Sequence, residues 1–242
     1  MASSIQEISV LNLALVFIPV IPVLFILHRW QLGINKSLYA LLRMLLQLLA
    51  IGYVLAYLFE SQRLVLVLSA LLIMLLAATW ISLNPLQQRS WPLYRSALLA
   101  IAVGGVITLI TVTQAVLAIE PWYSPRQLIP LAGMIFANAM TAISLSAERL
   151  AAELNQGVDY TVARAAAFNA SLIPTLNSLF AVGLVSLPGM MTGQILSGVA
   201  PHIAVKYQIV VMVMIFSSAG LSTAVFLHLS KNQFGTTGAK AQ

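Results

Sequence analysis

Charged residues divide this chain into apolar runs of nearly membrane-spanning length. The runs between them are Ile8–His28, Met44–Phe59, Leu64–Gln88, Ser96–Ile119, Gln127–Ala147, Ala165–Val205 and Tyr207–Ser230. A helix needs about 20 apolar residues to cross the hydrocarbon core. The pattern therefore predicts an all-α, polytopic membrane protein with about seven transmembrane helices, organised as a single domain over residues 1–242. The opening segment "MASSIQEISV" has no basic region before its apolar run and no small-residue cleavage site after it, so the first span is expected to be retained and not a signal peptide.

The sixth run is too long for one straight helix. Within it, "GLVSLPGMMTGQILSGVAP", Gly183 to Pro201, carries four glycines and two prolines in otherwise apolar sequence. Pro188 removes a backbone donor and Gly189 loosens the chain, so a helix entering at Leu172 is expected to break near Pro188-Gly189. Backbone freed inside a membrane must be buried in protein or line a wet cavity, and transporters build sites on such broken helices. The segment reads either as a kinked span or as a re-entrant one. "GMMTG", Gly189 to Gly193, is also a GxxxG pattern that permits close helix contact.

Charge sets the expected orientation. Placing the N-terminus outside puts Arg29, Lys36, Arg43, Arg89, Arg95, Arg149, Arg164, Lys231 and Lys240 on the cytoplasmic side and Arg63, Arg126 and Lys206 outside. That bias follows the rule that cytoplasmic loops hold the excess Lys and Arg, and it places the C-terminus in the cytoplasm. Trp122 and Tyr123 then mark an external edge, and Trp80, Trp91 and Tyr94 a cytoplasmic one. Composition agrees, with 60% hydrophobic and 7% charged residues and a mean hydropathy of +0.96, against about 25% charged residues in soluble domains. The net charge of +6 is read as topology. No loop is basic or aromatic enough for nucleic acid. The absence of cysteine excludes disulfides, Cys-ligated zinc and iron–sulfur clusters.

The one substantial cytoplasmic segment is "ERLAAELNQGVDYTVARAAAFN", Glu148 to Asn169. It reads as helix, glycine turn, helix, with Asp159 as the N-cap of Tyr160 to Phe168. It is either a solvated connector or a docking element for a cytoplasmic partner. The acidic residues lie at span ends, Glu7, Glu60 and Glu120 outside and Glu148, Glu153 and Asp159 in this segment. No span therefore holds a mid-membrane carboxylate of the kind that couples carriers to protons or sodium. Uphill transport would then draw its power from another subunit.

Candidate pathway residues are those whose polarity is out of place. Arg43 and Gln47 lie four apart on one helix face, where they line a cavity or where Arg43 snorkels to the interface. Asn138, Asn169, Thr175, Asn177, Thr192, Gln194 and Gln208 also fall in or near spans, where interhelical hydrogen bonding is their default role. Met190 and Met191 offer thioethers, but adjacent helical residues point about 100° apart, which suits apolar packing better than a shared soft metal. Phosphate sites fare poorly, since "GTTGAK" (Gly235 to Lys240) lacks the P-loop order and "LSGVA" (Leu196 to Ala200) is apolar. An intramembrane hydrolase using Ser186 with His202 or His228 lacks the G-x-S-x-G elbow.

The runs "RMLLQ" (Arg43 to Gln47), "IPLAGMIFANAM" (Ile129 to Met140), "SLIPTLNS" (Ser171 to Ser178), "GLVSLPGMMTG" (Gly183 to Gly193) and "KYQIVV" (Lys206 to Val211) resemble the FetB-type family of ABC transporter permeases. That family is known from bacterial iron exporters and is related to plant aluminium-tolerance permeases. The resemblance covers most of the chain from Arg43 onward. It implies a homodimer in the inner (plasma) membrane, paired with two copies of a separate ABC ATPase that holds ATP and Mg. This chain would carry no cofactor and no enzyme activity. The resemblance makes Glu153, Leu154, Gly157, Asp159 and Arg164 the coupling residues. Arg43, Gln47, Asn138, Asn177, Pro188, Gly189, Met190, Met191 and Gly193 become the pathway or hinge residues. Export of iron or another metal is the implied function; no metal ligand is assigned. The competing reading is a stand-alone channel or secondary carrier for a small solute.

Overall fold

A computed structural model describes residues 8–61, 63–86 and 89–238. The opening residues 1–7, with Glu7, and the tail 239–242, with Lys240, lie outside the described residues. The chain forms ten α-helices among the described residues, and it divides into two compact units, Met1–Ser61 and Gln62–Gln242.

The first unit holds α1 (Val10–Leu15), α2 (Val20–Arg29) and α3 (Ile34–Ser61). Ser9 caps α1 by accepting from the Asn12 amide at 3.2 Å. The helix then gives way before Pro19 and Pro22, whose missing N–H groups prevent a continuous ladder; α1 and α2 together still make a 20-residue apolar stretch. α2 packs against α3 after a turn in which Gly33 takes φ +74°. α3 has 28 residues, a length of about 42 Å, so it exceeds a hydrocarbon core of about 30 Å by about 12 Å.

The second unit holds α4 (Leu64–Ser82), α5 (Trp91–Ile110), α6 (Pro125–Asn155), α7 (Tyr160–Ala181), α8 (Gly189–Leu196), α9 (Pro201–Leu229) and α10 (Lys231–Gly238). A π-helical turn, Thr111–Val116, continues α5. α9 packs against α5, α6, α7 and α8, while α4 covers α5 and α6. The contact faces are built from small residues: Ala97, Ala100 and Gly104 on α5, Ala132, Ala139 and Ala147 on α6, and Ala204, Ala219 and Ser222 on α9. In lipid, where apolar surface gains little by leaving the tails, close backbone approach and dispersion drive such packing. A Cβ placed on Gly104 would fall 2.4 Å from the Ser222 hydroxyl oxygen and 2.7 Å from the Ser222 amide nitrogen. α5 and α9 therefore touch through their backbones at this pair.

Six stretches of the described residues are long and apolar enough to cross a membrane: Val10–Arg29, Ile34–Ser61, Leu64–Ser82, Trp91–Val116, Pro125–Asn155 and Pro201–Leu229. The long run between Ala165 and Val205 resolves into α7 and α8. α7 has 22 residues, but Arg164 near its start leaves 17 uncharged residues to Ala181, about 26 Å of helix. The helix ends there, ahead of Pro188. A tight turn follows, with Gly183 at φ +82° donating its amide to the Ser186 carbonyl at 3.0 Å. Pro188 then stands as the N-cap of α8, and Gly189 is its first residue.

The edge aromatics come together in space. Trp91 stacks on Tyr94 at 5.3 Å, Trp80 meets Tyr94 edge-on at 6.4 Å, and the Arg89 guanidinium lies 5.8 Å over the Trp80 ring. Trp122 and Tyr123 form an edge-on pair at 5.7 Å. Amphipathic rings grouped at helix ends are the usual anchors at a membrane–water interface.

Candidate functional site

α6 and α7 form an antiparallel hairpin whose turn has the expected helix, glycine, helix order. Gln156 caps α6, Gly157 takes φ +80°, and the Gly157 and Val158 amides reach back to the Leu154 and Glu153 carbonyls at 3.0 and 3.2 Å. This double back-bond is a Schellman motif, which needs a left-handed residue where Gly157 sits. Asp159 then opens α7: its carboxylate accepts from the Thr161 amide at 2.8 Å and from the Thr161 hydroxyl. Those bonds, the hydroxyl first and the amide second, hold the Asp159 carboxyl below its ordinary value of 3.8.

α6 has 31 residues, about 46 Å of helix, and so is about 16 Å longer than the hydrocarbon core is thick. The charges Glu148, Arg149 and Glu153 fall in its last turns, and Arg149 pairs with Glu153 one turn on. The turn is tied to the rest of the unit. The Tyr160 hydroxyl donates to the Leu227 carbonyl of α9, and the Lys231 ammonium of α10 lies 5.9 Å over the Tyr160 ring. Burial pushes the Tyr160 hydroxyl above its ordinary value, against the nearby Arg164 guanidinium. Gln233 of α10 donates to the Ser96 hydroxyl of α5 at 2.8 Å. Motion of the turn would thus reach α5 and α9 through a few short links. Arg164 is exposed and borders a separate groove with Phe168, Leu227 and His228.

Further along the same hairpin, a polar groove opens between the two helices. Asn138 and Thr141 of α6 face Ser171, Thr175 and Ser178 of α7 across a space of about 70 Å³, room for a few water molecules. The hydroxyl of Ser171 donates to the Phe168 carbonyl at 2.7 Å, that of Ser178 to Pro174 at 3.0 Å and that of Thr141 to Ala137 at 2.9 Å. The Asn138 amide donates to Met134 at 2.8 Å.

The sequence-predicted site residues thus separate into groups. Glu153, Leu154, Gly157 and Asp159 cluster at the hairpin turn, with Arg164 just over one turn into α7. Asn138 lines the groove, whereas Asn177, on the same helix as its α7 wall, is exposed and outside it. Arg43 and Gln47 are both exposed on α3 in the first unit. Arg43 lies nine residues into α3, about 14 Å, where the excess length of that helix ends, so a snorkelling arginine fits this position. Met190 and Met191 are half-buried on α8. A Cβ at Gly189 or Gly193 would have no atom within 4 Å, so the GxxxG pattern makes no close contact among the described residues. Close contact occurs instead at Gly104 and Gly105, which the sequence reading passed over. Thr175 was among the polar residues singled out in the sequence, but its stripe-mates Ser171 and Ser178 were not, although the spacings of four and three were a legible signal.

Comparison with known proteins places these features in a lineage. The model of the uncharacterised protein family UPF0014 matches residues 10–234. A UPF0014 membrane protein of Synechocystis sp. is 39% identical over 215 residues, covering 81% of this chain and 83% of its own. The probable iron export permease protein FetB of Escherichia coli is 36% identical over 242 residues, covering 92% and 91%. The protein ALUMINUM SENSITIVE 3 of Arabidopsis thaliana is 32% identical over 227 residues, covering 86% and 80%. No solved structure matches the chain.

Proposed function

This chain belongs to the UPF0014 family of multi-pass membrane proteins, and from that premise we propose that it is the membrane-spanning subunit of an ATP-driven exporter of iron or another metal. The relative named as an iron export permease supports the transport reading and the metal. ATP and Mg would be handled by a separate ABC ATPase, and two copies of this chain would form the pathway in the inner (plasma) membrane.

The observation that carries the proposal is the charged, well-capped α6–α7 turn. Such a hairpin, on a helix about 16 Å longer than the hydrocarbon core, suits contact with a soluble subunit better than it suits a mere connector. Glu153, Leu154, Gly157, Asp159 and Arg164 would form the coupling surface, and the Tyr160 link to α9 would transmit its movement. Closure of the ATPases would then shift α7 against its neighbours and alternate access to the pathway. Arg43, Gln47, Asn138, Asn177 and the Pro188 to Gly193 segment are its proposed lining and hinge.

The topology belongs to the same proposal. The Tyr160 hydroxyl at the start of α7 donates to the Leu227 carbonyl near the end of α9, and farther along α7 Leu172 shares a buried cluster with Ala219, earlier in α9, so α7 runs opposite to α9. Since α6 and α9 both have spanning length, α7 with α8 supplies the crossing between them, for seven in one transmembrane domain with the N-terminus outside and the C-terminus cytoplasmic.

The test is capture of cytoplasmic proteins on the purified membrane protein, with the 159–168 segment intact or scrambled. Capture of one ABC ATPase that depends on the segment is the expected result. Reproducible failure to capture any ATPase would overturn the proposal in favour of a stand-alone channel or carrier, which bilayer conductance would then detect.

A further inference from the structure

We propose that the groove between α6 and α7 is a binding site for a hydrated divalent cation, recognised through its water shell and not by direct metal ligation. This deepens the transport reading above and rests on it.

The chemistry of the groove is set by where its protons already go. A serine or threonine hydroxyl has one proton to donate and two lone pairs to accept with. Ser171, Ser178 and Thr141 direct that proton to carbonyls of their own helices at 2.7, 3.0 and 2.9 Å. One amide proton of Asn138 goes the same way, to Met134 at 2.8 Å. What remains toward the groove is chiefly lone pairs. Pro174 also stands in the groove wall. It has no N–H, so the Ala170 carbonyl one turn earlier loses its helical donor.

Thr175 adds a hydroxyl that is not tied to its own helix. It is 7% exposed, it lines the groove, and its hydroxyl forms no hydrogen bond with another described residue. Its hydroxyl is open to whatever fills the groove.

A site of converging acceptors calls for a ligand that donates. The lining residues carry no formal charge, and neutral oxygens compensate poorly for stripping water from a small divalent ion, which sheds its shell reluctantly. The water molecules of such an ion are polarised donors. About 70 Å³ accommodates a few of them, one face of the shell and not the whole. Such an outer-sphere site binds weakly enough to release, as conduction requires. Asn138 lies thirteen residues beyond Pro125, about 20 Å along α6, so the groove falls within the membrane toward the cytoplasmic end of the span.

The experiment uses the full chain in lipid nanodiscs with Mn²⁺, whose free form is read by electron paramagnetic resonance. Hexaamminecobalt(III) serves as competitor because its ammine hydrogens donate while its ligands do not exchange. The expected result is Mn²⁺ binding that the cobalt complex displaces, weakened about tenfold by Thr175→Val with Ser171→Ala and restored by Thr175→Ser. Absence of Mn²⁺ binding, binding that the cobalt complex cannot displace, or binding indifferent to these substitutions would overturn the proposal. Capture of the ATPase reports separately on the transport reading. Capture without cation binding removes only the groove site, and cation binding without capture removes only the ATP-driven permease.

Discussion

Replacing Gly104 with alanine tests whether α5 and α9 meet through their backbones. A Cβ built at Gly104 lies 2.4 Å from Oγ, 2.7 Å from N and 3.0 Å from Cα of Ser222. The hydroxyl can rotate away, but the nitrogen and Cα move only with α9. Ordinary contact begins at 3.4 Å, so α9 must retreat by about the difference between 3.4 and 2.7 Å, or 0.7 Å, across a face of small residues with no slack. Overpacking of this kind costs about 1–3 kcal/mol, partly offset by the roughly 1 kcal/mol by which alanine favours helix over glycine. Gly220→Ala on α9, where a Cβ meets nothing within 4 Å, carries the helix gain alone. The difference between the two variants cancels that gain and leaves the clash, about 1–3 kcal/mol in favour of Gly220→Ala. Gly105→Ala should fall between them, because the atom it meets at 2.8 Å is the edge of the Phe136 ring. Reversible unfolding in mixed micelles, followed by tryptophan fluorescence, measures all three. Equal stability of Gly104→Ala and Gly220→Ala would refute the backbone contact.

Gly157→Ala should strain the hairpin turn by about 1–2 kcal/mol, because φ +80° is left-handed, and should reduce ATPase capture; Gly157→Asn should keep more of it, and equal capture by both variants would count against the turn as docking element. The Asp159 cap depends on pH in a definite direction. Its folded carboxyl is held below 3.8, so its contribution is complete above that value and fades as pH falls through the lower folded one. Hydrogen exchange in the first turn of α7 should therefore quicken on acidification, and Asp159→Asn, which keeps the capping oxygen, should remove the dependence. The double variant Pro188→Ala, Gly189→Ala should insert and capture the ATPase normally but transport poorly, since it alters only the entry to α8. Unchanged transport by a normally expressed protein would exclude a hinge there.

The sequence determined by itself what depends on short range. Apolar runs of spanning length, the glycine turn at position 157 and the Asp159 cap are encoded within a few residues; six of the seven runs appear as stretches of spanning length, and the turn and the cap appear where the pattern put them. Proline chemistry was legible too, although α7 stops at Ala181 and Pro188 begins the next helix. What stays hidden in the sequence is the register between helices distant along the chain. Gly104 meets Ser222, and Ser144 donates to the Ser82 carbonyl at 2.7 Å, because whole small-residue faces interlock, and no local pattern specifies which turn meets which. The groove has the same origin. Asn138 alone looks like interhelical glue, and only the antiparallel seating of α7 brings Thr175 and its neighbours across from it. Local chemistry supplied the acceptors, and tertiary packing decided that they converge.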